Sequence, residues 1–239
     1  MLMGHRLFVP EISAGQQHTL DAERSHYLTR VLRLKTGDTV TCFDGSGSEY
    51  EATVRGSAGK AAALTFGELI GHHGPPLPLH LALGWLKGRA MDTVTQKATE
   101  LGITDLWPIT AARSNVRINT SRTTGRVAHW QKIAIHASEQ SNRAFVPTVH
   151  EPTDLSSYLA ATASLPKFIL QPGSSPLNPD LPRQALALLV GPEGGWTEDE
   201  LRHARAAGAV AWGLGDWILR AETAPLAALA GIRQLWGWR

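Results

Sequence analysis

The chain of 239 residues has a single cysteine, Cys42. One thiol excludes an internal disulfide and a thiolate metal cluster, and it suits a reducing compartment. Long uncharged apolar runs are missing too, so no segment reads as a membrane span. The opening stretch MLMGHRLFVP has neither the apolar core nor the cleavage site of a signal peptide. A cytoplasmic protein with no membrane partner is therefore expected. Net charge is small as well: the formal value is +2, too little to imply nucleic acid by itself. Both common phosphate-loop patterns, G-x-x-x-x-G-K-[ST] and G-x-G-x-x-G, are absent. The ten histidines show no ligand spacing, and His72–His73 fall in a Pro/Gly-rich stretch, so no metal is expected. What remains is the composition of a globular protein, 43% hydrophobic and 18% charged.

The small net charge is unevenly spread. Between Leu106 and His150, Arg113, Arg117, Arg122, Arg126, Lys132 and Arg143 face Glu139 alone. Such a local excess suits a phosphate backbone, and also suits a solvated face. Composition shifts at GHHGPPLP, residues 71–78, where prolines and glycines break regular structure. A first domain over residues 1–72 and a second over 73–239 follow. In the first, DTVTCFD, EYEATV and AAALTFG read as short strands around turn signals, which suggests a small barrel. The helix ERSHYLTRVLRL places His26, Arg30 and Arg33 at i, i+4 and i+7, on one face.

Past the linker, apolar strands alternate with helices. The strands are PLHLALGWL, ITDLWPIT, KFILQP, ALALLVG and AVAWGLG. Asp92 is a candidate N-cap for the helix in MDTVTQKATELG, and Gly102 its stop. This pattern predicts a mostly parallel sheet covered on both faces, an α/β domain.

Two loops in it carry chemistry. In LLVGPEGGWTEDEL, Thr197 and Glu200 form a T-x-x-E capping box, with Trp196 as a staple residue. A helix N-terminus can hold an anion, but Glu193, Glu198, Asp199 and Glu200 crowd this one and no lysine accompanies them. Phosphate is the wrong ligand; a neutral or cationic one fits better. The second loop, LGDWILRAETAPLAALAGI, packs Arg220, Glu222 and Thr223 just before an apolar helix. Capping explains Thr223, with Pro225 tolerated in the first turn, but it explains neither Arg220 nor Glu222.

Together with QKATELG, WQKIAIHASEQSNR and HYLTRVLRL, these loops resemble, in order and spacing, the ribosomal RNA small-subunit methyltransferase E family of the SPOUT class. The resemblance implies an N-terminal PUA-like β-barrel followed by a SPOUT α/β domain with a C-terminal trefoil knot. It implies a homodimer that uses S-adenosylmethionine to methylate N3 of a uridine in the decoding region of 16S rRNA, within the small ribosomal subunit. One cofactor wall would be Gly191, Pro192, Glu193, Gly194 and Gly195, and the other Leu214, Gly215, Ile218, Leu219 and Thr223. Leu170 and Gln171 would join them. Arg143, Arg220 and Glu222 would lie near methyl transfer, and Arg113 and Arg117 would face RNA. The chain departs from the family pattern at Ala112, Asp216–Trp217 and Ala221.

The activated methyl of a sulfonium leaves the protein mainly positioning and charge management. Arg220 or Arg143 would stabilise charge on the uridine carbonyl oxygens, and Glu222 or Glu139 would take the proton or orient an arginine. The His26, Arg30 and Arg33 stripe and the basic Arg113–Arg143 stretch would hold RNA. A non-catalytic RNA-binding or ribosome-assembly factor is the rival from another class, and a SPOUT methyltransferase acting on another nucleotide is the nearer one.

Overall fold

A computed structural model of the protein describes residues 5–58, 61–114 and 120–238, with backbone alone for 57–58 and 120–122. The chain divides into two compact units. One comprises the residues through Pro76 together with Ser138–Val146; the other is Leu77–Ala137 with Pro147 onward. The segment Ser138–Val146 thus returns to the N-terminal unit, a return that periodicity along the chain does not announce.

In the N-terminal unit, β1 (Arg6–Phe8), β2 (Gln17–Thr19), α1 (Ala22–His26), β3 (Thr39–Phe43), β4 (Ser48–Ala58) and β5 (Ala61–His72) follow in turn. The strands form one sheet in the order β1-β3-β4-β5-β2, with β1 parallel to β3 and the other neighbours antiparallel. Val40 and Cys42, Ala52 and Val54, and Leu64 and Phe66 alternate along their strands and bury one face with Leu28. Strand β5 outruns its sequence signal because Gly71 and His72 find partners in Glu49 and Ser48, so the linker begins only after them.

The basic helix also differs from expectation. Helix α1, capped by Asp21, ends at His26, and a π-helical turn follows over Tyr27–Val31. The Thr29 hydroxyl donates to the Ser25 carbonyl at 2.7 Å, competing for the acceptor that an α-helix would offer the Thr29 N–H. Arg33 then adopts φ 58°. His26, Arg30 and Arg33 are all exposed, but they no longer share an α-helical i, i+4, i+7 spacing.

In the second unit come β6 (Leu79–Gly84), α2 (Arg89–Glu100), β7 (Asp105–Thr110), α3 (Thr120–Gln140), β8 (Thr148–Val149), β9 (Thr153–Asp154), α4 (Leu155–Ala161), β10 (Lys167–Leu170), β11 (Leu186–Val190), α5 (Glu198–Ala206), β12 (Ala209–Trp212) and α6 (Ala224–Leu235). The parallel sheet runs β12-β10-β11-β6-β7-β8, with β9 on β7. Period-two alternation sends its side chains to two cores. Leu79, Leu81, Leu83, Leu186, Leu188 and Val190 meet α2, α3 and α6 on one face. Ala82, Ile169, Ala187 and Leu189 meet α4 and α5 on the other. No described helix is long and apolar enough to cross a membrane.

Helix α2 starts earlier than predicted, with Gly88 at the N-cap position. Asp92, expected to cap it, instead accepts from Trp130 Nε1 at 3.0 Å and pairs with His129, tying α2 to α3. After β12 the Gly213 N–H donates to the Ser175 carbonyl at 2.8 Å, and beyond α6 Trp236 Nε1 donates to the Pro182 carbonyl at 3.2 Å. The C-terminal segment is thus bound twice to the β10–β11 connection.

At the amino ends of β6 and β7, His150 and His80 donate to the two oxygens of Asp105 at 2.7 and 3.1 Å, and the Trp107 ring stacks on His150 at 3.6 Å. Burial alone would raise the Asp105 pKa, but hydrogen bonds from His150, His80 and Thr104 outweigh it and hold the carboxyl well below its usual range. Because the folded value is depressed, the stabilisation is present above the unfolded pKa of about 3.9 and fades as pH falls through the folded value. Asp105→Asn should therefore lower the melting temperature near neutral pH, and the gap to wild type should shrink in acid. A gap that stays constant between neutral pH and about pH 2 would contradict this assignment.

Candidate active site

The carboxyl ends of β12, β10 and β11 lie side by side, and open α/β sheets place ligands at such ends. A cavity of about 560 Å³ opens there, a size suited to one small organic ligand. The loop after β11 supplies one wall through Gly191, Pro192, Glu193 and Gly195. The segment after β12 supplies the other through Leu214, Gly215, Ile218, Leu219, Arg220 and Glu222. Leu170 and Gln171 line it between them. Of the residues expected at the cofactor, Gly194 and Thr223 do not line the cavity. Trp212, Trp217 and Pro172 line it without having been expected there.

Glycine makes these walls possible by two routes. Gly195 and Gly215 adopt φ 67° and 95°, a region that side chains disfavour. Gly84 and Gly194 serve close approach instead. A Cβ on Gly84 would fall 2.3 Å from the Pro192 nitrogen, and one on Gly194 would fall 2.8 Å from the Arg113 Cβ.

The capping box forms as the sequence predicts. The Glu200 N–H donates to Thr197 Oγ1 at 3.2 Å, and the Thr197 N–H to Glu200 Oε2 at 2.7 Å. Trp196 is buried with Leu201 across the first turn, as in a hydrophobic staple. The other Glu200 oxygen accepts from the Ala112 N–H at 2.8 Å, so one carboxylate joins the helix start to the loop after β7. Arg113 closes the same seam, donating to the carbonyls of Gly194 at 3.4 Å and Trp196 at 3.2 Å. Arg113 is exposed, yet its guanidinium is aimed at the cavity wall.

Arg220 and Glu222 are held by the start of α6. The Arg220 carbonyl accepts from the N–H groups of Thr223 and Ala224, both at 2.9 Å. Thr223 takes the N-cap position but makes no side-chain cap bond. Glu193 lines the opposite wall, and its Oε1 accepts from the Lys87 N–H at 3.2 Å. Around the ligand space stand Glu193, Glu222 and Arg220 with no lysine.

Other candidates fall elsewhere. Glu139, proposed from sequence as an alternative base, is 3% exposed and belongs to the N-terminal unit. There its Oε1 accepts from Arg24 Nη1 at 2.5 Å and from the Phe8 N–H at 2.9 Å. Burial, then the Glu139 charge, pushes the nearby Cys42 thiol up to about 12. A carboxylate so enclosed anchors its own unit. Arg143 belongs to the same unit: its N–H donates to the Ser138 carbonyl at 3.0 Å, and its carbonyl accepts from Arg6 at 3.3 Å. Neither lines the cavity. Arg117 lies outside the described residues. Among described residues no group of three or more His, Cys, Asp or Glu could hold a metal ion.

Sequence reasoning missed Gly84, because a glycine at the end of a strand reads as its stop, and the residue it approaches, Pro192, lies far along the chain.

Comparison with known proteins finds two family models along the chain. A family model for an RNA methyltransferase domain matches residues 73–233, and one for an RNA methyltransferase PUA domain matches residues 20–66. Ribosomal RNA small subunit methyltransferase E of Synechocystis sp. is 34% identical over 98% of this chain and 78% of its own length. A crystal structure of a ribosomal RNA small subunit methyltransferase E from Neisseria gonorrhoeae, bound to S-adenosyl methionine, is 35% identical. It covers 98% of both chains with a TM-score of 0.88. A protein from Legionella pneumophila, described as a methyltransferase in complex with bound SAM, is 30% identical. It covers 97% of both chains with a TM-score of 0.90.

Proposed function

The chain belongs to the ribosomal RNA small subunit methyltransferase E family, and from that premise we propose that it transfers a methyl group from S-adenosylmethionine to N3 of a uridine in the decoding region of 16S rRNA. The observation that carries this reading is the cavity itself. It is acid-containing, free of lysine and walled by glycine turns on neighbouring parallel strands. S-adenosylmethionine is a nucleoside with a sulfonium cation and no phosphate, so it matches a site whose Glu193 and Glu222 would repel polyphosphate. The close approach of Gly84 to Pro192 sets the wall after β11, and the turns at Gly195 and Gly215 carry no side chain that would keep a ligand from the backbone.

The sulfonium, when bound, presents a methyl group that needs no further activation. The chain's own residues manage the uridine. Arg220 stabilises negative charge on the carbonyl oxygens that flank N3, as an oxyanion site does. With Glu139 enclosed in the N-terminal unit, Glu222 is the carboxylate that accepts the N3 proton. A stacked or paired uridine would hide that edge, so the target enters single-stranded or extruded. Exposed His26, Arg30 and Arg33 on the N-terminal unit, and Arg113 beside the cavity wall, supply cations for the RNA backbone.

A homodimer belongs to the same reading. Trp217 and Ile218 line the cavity yet are 83% and 86% exposed, an apolar lip that a second copy of the chain would cover. Two measurements test the whole. Calorimetric titration with S-adenosylmethionine should show micromolar-range binding, and ribosomal RNA from a deletion strain should lack one N3-methyluridine that the restored gene returns. An unchanged methylation map would overturn the assignment of the reaction, and absent binding that of the cofactor.

A further inference from the structure

Gln171 follows β10, and in the sheet β10 lies between β12 and β11. A ligand held by the walls after β11 and β12 therefore spans the position of Gln171. The residue is anchored on its main chain: its N–H donates to the Trp212 carbonyl at 3.0 Å, and its carbonyl accepts from the Ser174 N–H at 3.3 Å. Its side chain is held from outside. Arg205, on the last turn of α5, donates from Nη2 to Gln171 Oε1 at 2.7 Å. An arginine has donors and no acceptor, so this contact decides which way the amide points. The oxygen is taken by Arg205 on α5, and the amide N–H groups, which that contact does not use, belong to a residue that lines the cavity.

We propose that Arg205 is a positioning residue that holds Gln171 so that its amide N–H groups read acceptor atoms in the nucleoside part of the methyl donor. The inference rests on the reading of the cavity as an S-adenosylmethionine site. The nucleoside is favoured over the amino-acid carboxylate on charge. Glu193 and Glu222 already line this space, and a third carboxylate among them would be repelled. Ribose oxygens and adenine ring nitrogens accept hydrogen bonds without adding charge. Arg205 itself lines no part of the cavity, so its effect must pass through Gln171.

The test is calorimetric titration of the full-length protein with S-adenosylmethionine and with 5′-methylthioadenosine, which keeps the nucleoside and lacks the amino-acid group. Arg205→Ala should weaken both ligands alike by about 3- to 10-fold, the range of one net hydrogen bond. KM for the methyl donor should rise by the same factor while kcat holds, and Arg205→Lys should recover most of the loss. Gln171→Glu keeps the partner for Arg205 but removes the donors, and should weaken 5′-methylthioadenosine by about 10-fold or more. Arg202→Ala, which breaks only an exposed pair with Asp199 on the same helix, should bind as wild type does. Wild-type affinity for both ligands in Arg205→Ala overturns the proposal. So does a loss confined to S-adenosylmethionine, which would place the acceptor in the amino-acid part. Failure of the wild-type protein to bind S-adenosylmethionine would instead strike the proposed cofactor, and the two failures are distinguishable in one experiment.

Discussion

Replacing Arg220 by alanine is expected to cut methyl transfer by about 100- to 1,000-fold, the usual effect of removing one donor from a site of developing negative charge. Affinity for S-adenosylmethionine should change only a few-fold, because the walls after β11 and β12 keep their backbone. The position supports this division of labour. Arg220 lines the cavity, and its carbonyl accepts the two N–H groups that open α6, so the backbone turn should survive loss of the side chain. Single-turnover methylation of small-subunit RNA, set beside calorimetry with the cofactor, reads both quantities. Lysine at this position keeps the charge but loses the planar fork, so Arg220→Lys should recover only part of the rate. Wild-type turnover in Arg220→Ala would remove Arg220 from the chemistry.

Gly84→Ala is expected to act on the opposite property. Its new Cβ would lie 2.3 Å from the Pro192 nitrogen, 2.5 Å from the Pro192 Cδ and 2.8 Å from the Gly191 carbonyl carbon. Two of those atoms are backbone, and a proline ring cannot rotate aside, so the wall after β11 must move. Overpacking of this kind costs about 1–3 kcal/mol, which translates into roughly 5- to 150-fold weaker cofactor binding if the wall rather than the sheet gives way. If the sheet gives way instead, the melting temperature falls. Calorimetry and thermal unfolding together capture either result. Gly125→Ala is the matched control, since a Cβ there meets nothing within 4 Å among the described residues, in the second turn of α3. It should leave binding unchanged and stability equal or slightly higher. Full affinity together with full stability in Gly84→Ala would show that the close approach does not shape the site.

The two substitutions differ in how far their targets could be seen in advance. Arg220 announced itself, because a charged residue kept beside Glu222 in an otherwise apolar stretch has no packing explanation. Gly84 did not: at the end of LALG it reads as the stop of a strand, and its partner Pro192 lies far along the chain. Glu139 shows the reverse case. It stood in a basic stretch with an apparent surplus of arginine, yet it faces Arg24 and the Phe8 N–H, because Ser138–Val146 packs with the N-terminal unit. The α-helical spacing of His26, Arg30 and Arg33 was lost for a local reason. The Thr29 hydroxyl takes the Ser25 carbonyl, and a π-helical turn replaces the α-helix on which that spacing depended.

Information that is local in the chain was legible from residues alone. The alternating apolar strands, the capping box of Thr197 and Glu200, and the acid-rich, lysine-free glycine loop each depend on neighbours within about one helical turn. They were enough to reject phosphate and to point to a different ligand. Strand order belongs to the tertiary structure, because parallel neighbours are joined by crossovers whose destinations no periodicity encodes. That order sets β10 between β12 and β11 and so sets Gln171 between two loops well separated in sequence. Tertiary packing likewise brought Arg205 to Gln171 and enclosed Glu139 in the N-terminal unit. Side-chain chemistry was present in the sequence, but which groups share a space was settled only when distant segments closed on one another.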